Sequence, residues 1–207
     1  MVKKNLFIVL EGIDGSGKST QAKLLTEKLE HLGHKVYITA EPTKSPMGVL
    51  IRDIFNHKLE ADHKVIAGLF VADRLHHLTN KVDGVLQKLA EGYTVIMDRY
   101  YFSSYAYHSA HMDMQWVIDA NRMSAELLRP DINIFIDIPV AISMERIVNN
   151  RTNIELYETQ ENQTKVREKY FEAFHLLNKV ENIFITNGDR DEEEIAADIW
   201  ERVCSLD

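Results

Sequence analysis

Residues 6–25 constrain this 207-residue chain more than any other stretch. An apolar run, Leu6-Phe7-Ile8-Val9-Leu10, leads into Gly12-Ile13-Asp14-Gly15-Ser16-Gly17-Lys18-Ser19, and a helical pattern follows from Thr20. This is G-x-x-x-x-G-K-S between a strand and a helix, the context in which the pattern has a mechanism. The glycines let the backbone bend around phosphate oxygens with no side chains in the way. Successive N–H groups form an anion nest at the positive end of a helix. Lys18 can reach the β- and γ-phosphates of a nucleotide, and the Ser19 hydroxyl can ligate Mg²⁺.

The rest of the chain alternates strand and helix patterns. Further strands are expected at Lys35–Thr39, Thr94–Asp98, Ile132–Asp137 and Ile183–Thr186, each a short apolar run. Helices are expected at about Lys18–His31, Met47–His57, Ala61–Ala90, Ser103–Ser109, Met114–Leu128, Val140–Val148, Gln163–Leu177 and Glu192–Val203. Strands separated by helices predict an α/β fold, a five-stranded parallel sheet covered on both faces. No repeat or Pro/Gly-rich linker divides the chain, so residues 1–207 read as one domain. Ligands in such sheets sit at the carboxyl ends of the strands. Those ends carry Glu11, Glu41, Asp98-Arg99 and Asp137.

Bulk composition narrows the partners. A formal charge of −8 without a basic tract gives no support for a nucleic-acid polymer. No run approaches the ~20 apolar residues of a membrane span. The single cysteine, Cys204, cannot form an intrachain disulfide, which fits a reducing cytoplasm.

Three further places carry chemistry. In Asp98-Arg99-Tyr100 the acid ends a strand, where it can hold Mg²⁺. The arginine either pairs with an acid or meets a substrate phosphate. Phe70 and Arg74 share a helix face; they are either core packing or a platform and donor for a base. Residues 149–161 are polar and poor in apolar side chains, and with Arg146, Arg151 and Tyr157 they read as a lid at about 146–160.

Taken together these residues resemble the thymidylate kinase family, nearly end to end. The resemblance is carried by Leu10-Glu11-Gly12-Ile13-Asp14-Gly15-Ser16-Gly17-Lys18-Ser19-Thr20, Glu41-Pro42, Phe70-Val71-Ala72-Asp73-Arg74, Asp98-Arg99-Tyr100 with Ser103-Ser104, Arg129-Pro130-Asp131 and Tyr157-Glu158. It implies the P-loop NTPase fold with a lid and ATP-dependent phosphorylation of dTMP to dTDP with Mg²⁺. It implies a homodimer through the long helices. ATP would be held by Gly12, Asp14, Gly15, Ser16, Gly17, Lys18, Ser19 and Thr20, with Arg146 against adenine and Asn187 bordering it. Ser19 and Asp98 would hold the metal. Asp14 would meet the deoxyribose 3′-hydroxyl, Phe70 would stack on thymine, and Arg74 would bond its O4. Arg99 would hold the dTMP phosphate, with Ser103, Ser104 and Tyr107 lining the pocket and Tyr157 closing it. Lys44 or Arg52 would supply a second cation there, Arg52 being preferred. The residue after Asp14 is Gly15 rather than a cation, so the resemblance sends the transfer role to Arg151, beside Lys18, Asp98 and Arg99. His108, Asp73 and Leu156 depart from common family choices. The rival readings are a deoxynucleoside kinase, a kinase for another monophosphate, or a non-catalytic nucleotide-binding module. The module has no need of Phe70, Arg74 and Arg99.

Overall fold

The computed structural model of the chain describes residues 5–150 and 156–206. Within them β1 (Phe7–Glu11), β2 (Lys35–Ala40), β3 (Tyr93–Asp98), β4 (Ile132–Asp137) and β5 (Ile183–Asn187) form an all-parallel sheet in the order β2-β3-β1-β4-β5. Parallel neighbours cannot be joined by a tight turn, so each connection crosses a face of the sheet as a helix. These are α1 (Lys18–His31), α2 (Pro46–Phe55), α3 (His63–Thr79), α4 (Val85–Ala90), α5 (Tyr101–Ser109), α6 (Met114–Leu127), α7 (Val140–Asn150), α8 (Gln160–Leu177) and α9 (Glu192–Cys204). The expected α/β P-loop architecture is present.

The two-residue period of a strand divides the core. On β1, Phe7 and Val9 point to one side, where they join Met97, Phe102, Phe135, Tyr170 and Phe174. Ile8 and Leu10 point to the other and meet Leu25, Leu29, Ile134 and Ile199. All five β1 residues are buried, as the apolar run requires of a strand covered on both faces. The edge strands β2 and β5 are more exposed.

One expected helix divides. The segment read as continuous from Ala61 to Ala90 is α3, a turn and then α4. Asn80 ends α3, and its side chain accepts from the Val82 N–H at 2.8 Å. Gly84 then packs so closely that a Cβ there would lie 2.2 Å from the Asn80 carbonyl oxygen. Val82 continues the apolar period in sequence but is 79% exposed. A side chain that bonds its own neighbouring backbone competes with helix, and here the turn wins. Of the expected lid, residues 146–150 continue α7 and residue 160 opens α8. Arg151 lies outside the described residues.

Candidate active site

The phosphate loop connects β1 to α1. Gly12 has φ 151°, and a Cβ there would lie 2.5 Å from Ser16 Oγ and 2.8 Å from the Ile136 carbonyl oxygen. Only glycine fits both the backbone and the space. Gly17 precedes α1 with φ 92° and no side-chain cap, which leaves the helix N-terminus to a ligand. Lys18 Nζ turns inward and donates to the Gly12 and Ile13 carbonyls at 3.1 and 3.0 Å. Burial pushes its amine down to about 8, Arg99 adding to the effect, while Asp98, Asp14 and Glu11 pull the other way. Helix α7 braces the loop: Ser143 Oγ donates to the Asp14 carbonyl at 2.6 Å, and Arg146 Nη1 to the Gly15 carbonyl at 3.2 Å. Thr20 lies on the first turn of α1. Asn187 ends β5 opposite Asp137, at the same carboxyl edge of the sheet.

Ser19 Oγ donates to Asp98 Oδ2 at 3.0 Å. Asp98 Oδ1 is buried and has no hydrogen-bond partner among the described residues. A hydroxyl and a carboxylate with an unused oxygen, beside a phosphate loop, suit a hard cation that keeps water and phosphate ligands. No group of three or more His, Cys, Asp or Glu among the described residues could hold a metal alone, as that mode of binding allows.

Beside the loop opens a cavity of about 230 Å³. Its walls include Asp14, Arg52, Phe70, Arg99, Ser103, Ser104, Tyr107 and Tyr157, residues drawn from well-separated parts of the chain. Arg99 is part of its wall. It adopts φ 69°, uncommon for a residue with a side chain, and its N–H bonds the Leu10 carbonyl at 2.9 Å. That places the guanidinium over the loop. Nη1 donates to the Gly12 carbonyl and Ser103 Oγ, each at 3.1 Å, and Nη2 to Asp14 Oδ1 at 2.6 Å and Tyr107 Oη at 3.1 Å. Burial pushes the Asp14 carboxyl up, but Arg99, Lys18, Tyr107 and Gln163 outweigh it and bring it to about 2. Arg99 and Asp14, expected at an acceptor's phosphate and its 3′-hydroxyl, thus pair directly in the cavity wall.

Phe70 faces this cavity in an aromatic slot, 5.9 Å from the Phe55 ring and 5.1 Å from that of His108. Burial pushes His108 down to about 3, with Arg74, His111 and His63 adding to it, so its ring is neutral at physiological pH. Tyr157 closes one side, its ring 5.3 Å from Phe55 and its hydroxyl 3.1 Å from His63 Nδ1. Arg52 reaches the cavity from α2 and donates to the Pro42 carbonyl at 2.7 Å and to that of Thr43. Lys44 lines a neighbouring hollow along β2 instead.

Arg74 does not line the cavity. It is 1% exposed; its guanidinium donates to Glu41, Ser104, Asn121 and the Tyr100 carbonyl, and Nη2 lies 2.7 Å from Glu41 Oε2 as an ion pair. A buried arginine needs such pairing. His77 completes this group, with Nδ1 3.2 Å from Glu41 Oε1. Asp73, its neighbour, accepts from Thr43 N and Oγ1 and from Ser45 Oγ at 2.6–2.7 Å, and so anchors the loop that carries Arg52's acceptors.

Two residues important to the site have no site role expected from the sequence. Glu11, a strand-end acid within the Leu10–Thr20 motif, is fully buried and accepts from Tyr100 N, Ser103 N, Ser103 Oγ and Tyr170 Oη. Burial raises its carboxyl despite those donors. It sets α5 against β1, and an acid closing an apolar strand was the signal. Gln163 bonds both Asp14 and Tyr157, and nothing in its sequence neighbourhood marks it.

Known proteins resemble this chain in sequence along most of its length. The family model described as thymidylate kinase matches residues 10–199. A protein of Pyrococcus horikoshii named "Probable thymidylate kinase" is 42% identical over 202 residues, 95% of this chain and 94% of its own. One of the same name from Thermococcus kodakarensis is 40% identical over 193 residues, 86% of this chain and 91% of its own. One from Methanocaldococcus jannaschii is 36% identical over 196 residues, 94% of each. With a triphosphate loop and an aromatic slot meeting at Arg99, and with this likeness along nearly the whole length, the chain belongs to the thymidylate kinase family of nucleotide kinases.

Proposed function

We propose that this kinase phosphorylates dTMP to dTDP with ATP as donor, in the cavity between Arg99 and Phe70. The observation that carries the reading is the meeting, in one cavity, of an aromatic slot with Arg99 and Arg52, directly beside the phosphate loop. An acceptor with a flat base and an anionic end fits that division. A bare nucleoside has no group for the two arginines.

The roles follow from position. Lys18 and the loop N–H groups hold the β- and γ-phosphates of ATP, with Arg146 and Asn187 toward adenine. Ser19 and Asp98 would hold Mg²⁺, which neutralises charge on the transferring phosphates. Arg99 holds the acceptor phosphate and Arg52 assists it. Asp14 receives the 3′-hydroxyl, and Phe70 stacks on thymine. Arg74, expected at base O4, stands behind the wall and stiffens it through Ser104. Arg151 acts at the transferring group from the lid. Phosphoryl transfer asks for positioning and charge neutralisation rather than covalent chemistry, and this site is built for both.

In a coupled ADP assay, dTMP should be turned over and thymidine should not. Turnover of thymidine with dTMP inert would sink the reading and restore the nucleoside kinase.

The enzyme acts in the cytoplasm as one domain. Among the described residues no helix is long and apolar enough to cross a membrane. It works as a homodimer through α2, α3 and α6. Val65 on α3 (53% exposed) and Met123 on α6 (61%) expose apolar surface, as do Val49 on α2 and Trp116 and Leu127 on α6. Gly68 lies on the exposed side of α3, and a Cβ there would meet nothing within 4 Å. A large side chain at 68 therefore troubles only a partner. Gly68→Arg should stay folded by circular dichroism and run as a monomer in light scattering; an unchanged dimer would refute this interface.

A further inference from the structure

Gln163, on the first turn of α8, is fully buried between the phosphate loop and the segment at Tyr157. Its Nε2 donates to Asp14 Oδ2 and to the Tyr157 carbonyl, each at 2.9 Å. Its Oε1 accepts from the Asp14 N–H at 3.3 Å. Asn162 Nδ2 adds a second donor to the Tyr157 carbonyl at 3.0 Å. Both ends of the amide are therefore used, and its orientation is the one this network requires. Gln163 does not line the cavity. It can reach an acceptor only through Asp14 and Tyr157, which do.

The Asp14 carboxylate has three partners. Oδ1 takes Arg99, and Oδ2 takes Tyr107 Oη at 2.9 Å together with Gln163. Arg99 and Tyr107 also face the cavity and can turn toward a ligand. Gln163 cannot, because α8 and the Tyr157 carbonyl hold it. It is the fixed support of Asp14. Its chemistry is suited to that task. A neutral amide donates to the carboxylate without competing with the charge of Arg99, and it holds the Asp14 backbone at the same time. An arginine or lysine would neutralise Asp14, and a glutamate would set carboxylate against carboxylate.

We infer that Gln163 is a positioning residue for sugar recognition: it aims the Asp14 carboxylate at the acceptor's 3′-hydroxyl and ties that aim to the Tyr157 wall. This rests on the reading of Asp14 given above. Gln163 thereby sets discrimination between 3′-hydroxyl and 3′-deoxy acceptors rather than the rate of transfer. A buried polar network with every member satisfied holds one arrangement, and loss of one member lets the others wander.

The test measures kcat and KM for dTMP and for 3′-deoxythymidine 5′-monophosphate in the parent enzyme, Asp14→Asn, Gln163→Met and Gln163→Glu. The parent should prefer dTMP by roughly ten- to hundredfold in kcat/KM, the range for a hydrogen bond to a charged group. In Gln163→Met the preference should collapse toward unity, mostly through the KM for dTMP, with the KM for ATP unchanged. Gln163→Glu carries a second readout, independent of how well the methionine variant folds. The carboxyl introduced by that change would face Asp14 and Tyr157, with Arg99, Lys18 and Tyr107 behind Asp14. Its protonated form restores the donor, so the variant's preference for dTMP relative to the parent should rise as pH falls from about 8.5 to about 5.5. A folded Gln163→Met with the parent's preference overturns the inference, as does a pH-independent Gln163→Glu. If the parent itself shows no preference, the Asp14 reading fails and takes this inference with it. If Asp14→Asn loses the preference while Gln163→Met keeps it, only the role of Gln163 fails.

Discussion

Arg99→Ala should lower kcat/KM for dTMP by roughly a thousandfold, about 4 kcal/mol of transition-state stabilisation. Two losses combine. On the proposed reading the acceptor phosphate loses a bidentate cation, and the half-buried Asp14 loses its nearest opposite charge. Arg99→Lys should recover little, since an ammonium cannot span Gly12, Ser103, Asp14 and Tyr107 as the guanidinium does. Arg99→Gly relieves the φ of 69° and still lacks the charge, so it should be as inactive as the alanine variant. A loss below tenfold in Arg99→Ala would remove Arg99 from the acceptor site. The same variant has a stability signature. Asp14, held at about 2 against an ordinary 3.8, adds stability that is present above 3.8 and is lost as pH falls through 2. Without Arg99 the carboxyl rises, so the acid limb of unfolding should move to higher pH, readable by circular dichroism.

The second large effect is at Lys18. Lys18→Met should cost roughly three orders of magnitude in kcat if, as proposed, the cation acts where charge moves during transfer. Its pH behaviour offers a sharper check. In the free protein the amine is at about 8 rather than its ordinary 10.5. Between those values the unfolded chain holds more protons, so this group makes the fold gain stability as pH rises through that window. A bound triphosphate favours the charged amine. ATP binding near pH 8 should therefore take up about half a proton. Calorimetry in buffers of different ionisation enthalpy should show that uptake in the parent and none in Lys18→Met. Equal uptake in both would assign the proton elsewhere.

Local chemistry explains why so much of this protein could be read from its residues alone. The β1–loop–α1 unit needs only neighbours in sequence: an apolar run, glycines where the backbone must turn sharply, and a lysine and serine at the helix start. Strand order along the chain, with acids and Arg99 at strand ends, then points all of that chemistry to one edge of the sheet. The resemblance to thymidylate kinases added the acceptor side. The cavity collects each of its expected residues except Arg74.

Other features could be read only from packing. Arg74 and Phe70 share a helix face, but α6 supplies Asn121 and the β2–α2 loop supplies Glu41, and those contacts draw the guanidinium behind the wall. The choice between Arg52 and Lys44 depends on how α2 leans on the loop. Gly48 makes that approach possible: a Cβ there would lie 1.9 Å from the Thr43 carbonyl oxygen. The break between α3 and α4 arose where an apolar period ran on through Val82 while Asn80 and Gly84 closed a turn. Gln163 is a polar residue in a polar stretch until α8 docks beside Asp14, 149 residues earlier in the chain. Sequence alone points to the triphosphate loop and the parallel sheet, because these follow from short-range backbone geometry and a two-residue strand period, while the residues of an acceptor site are what the family resemblance implies. Tertiary structure decides which side chains reach the ligand and which hold them in place, because buried hydrogen bonds and charges find their partners across separations that no local pattern encodes.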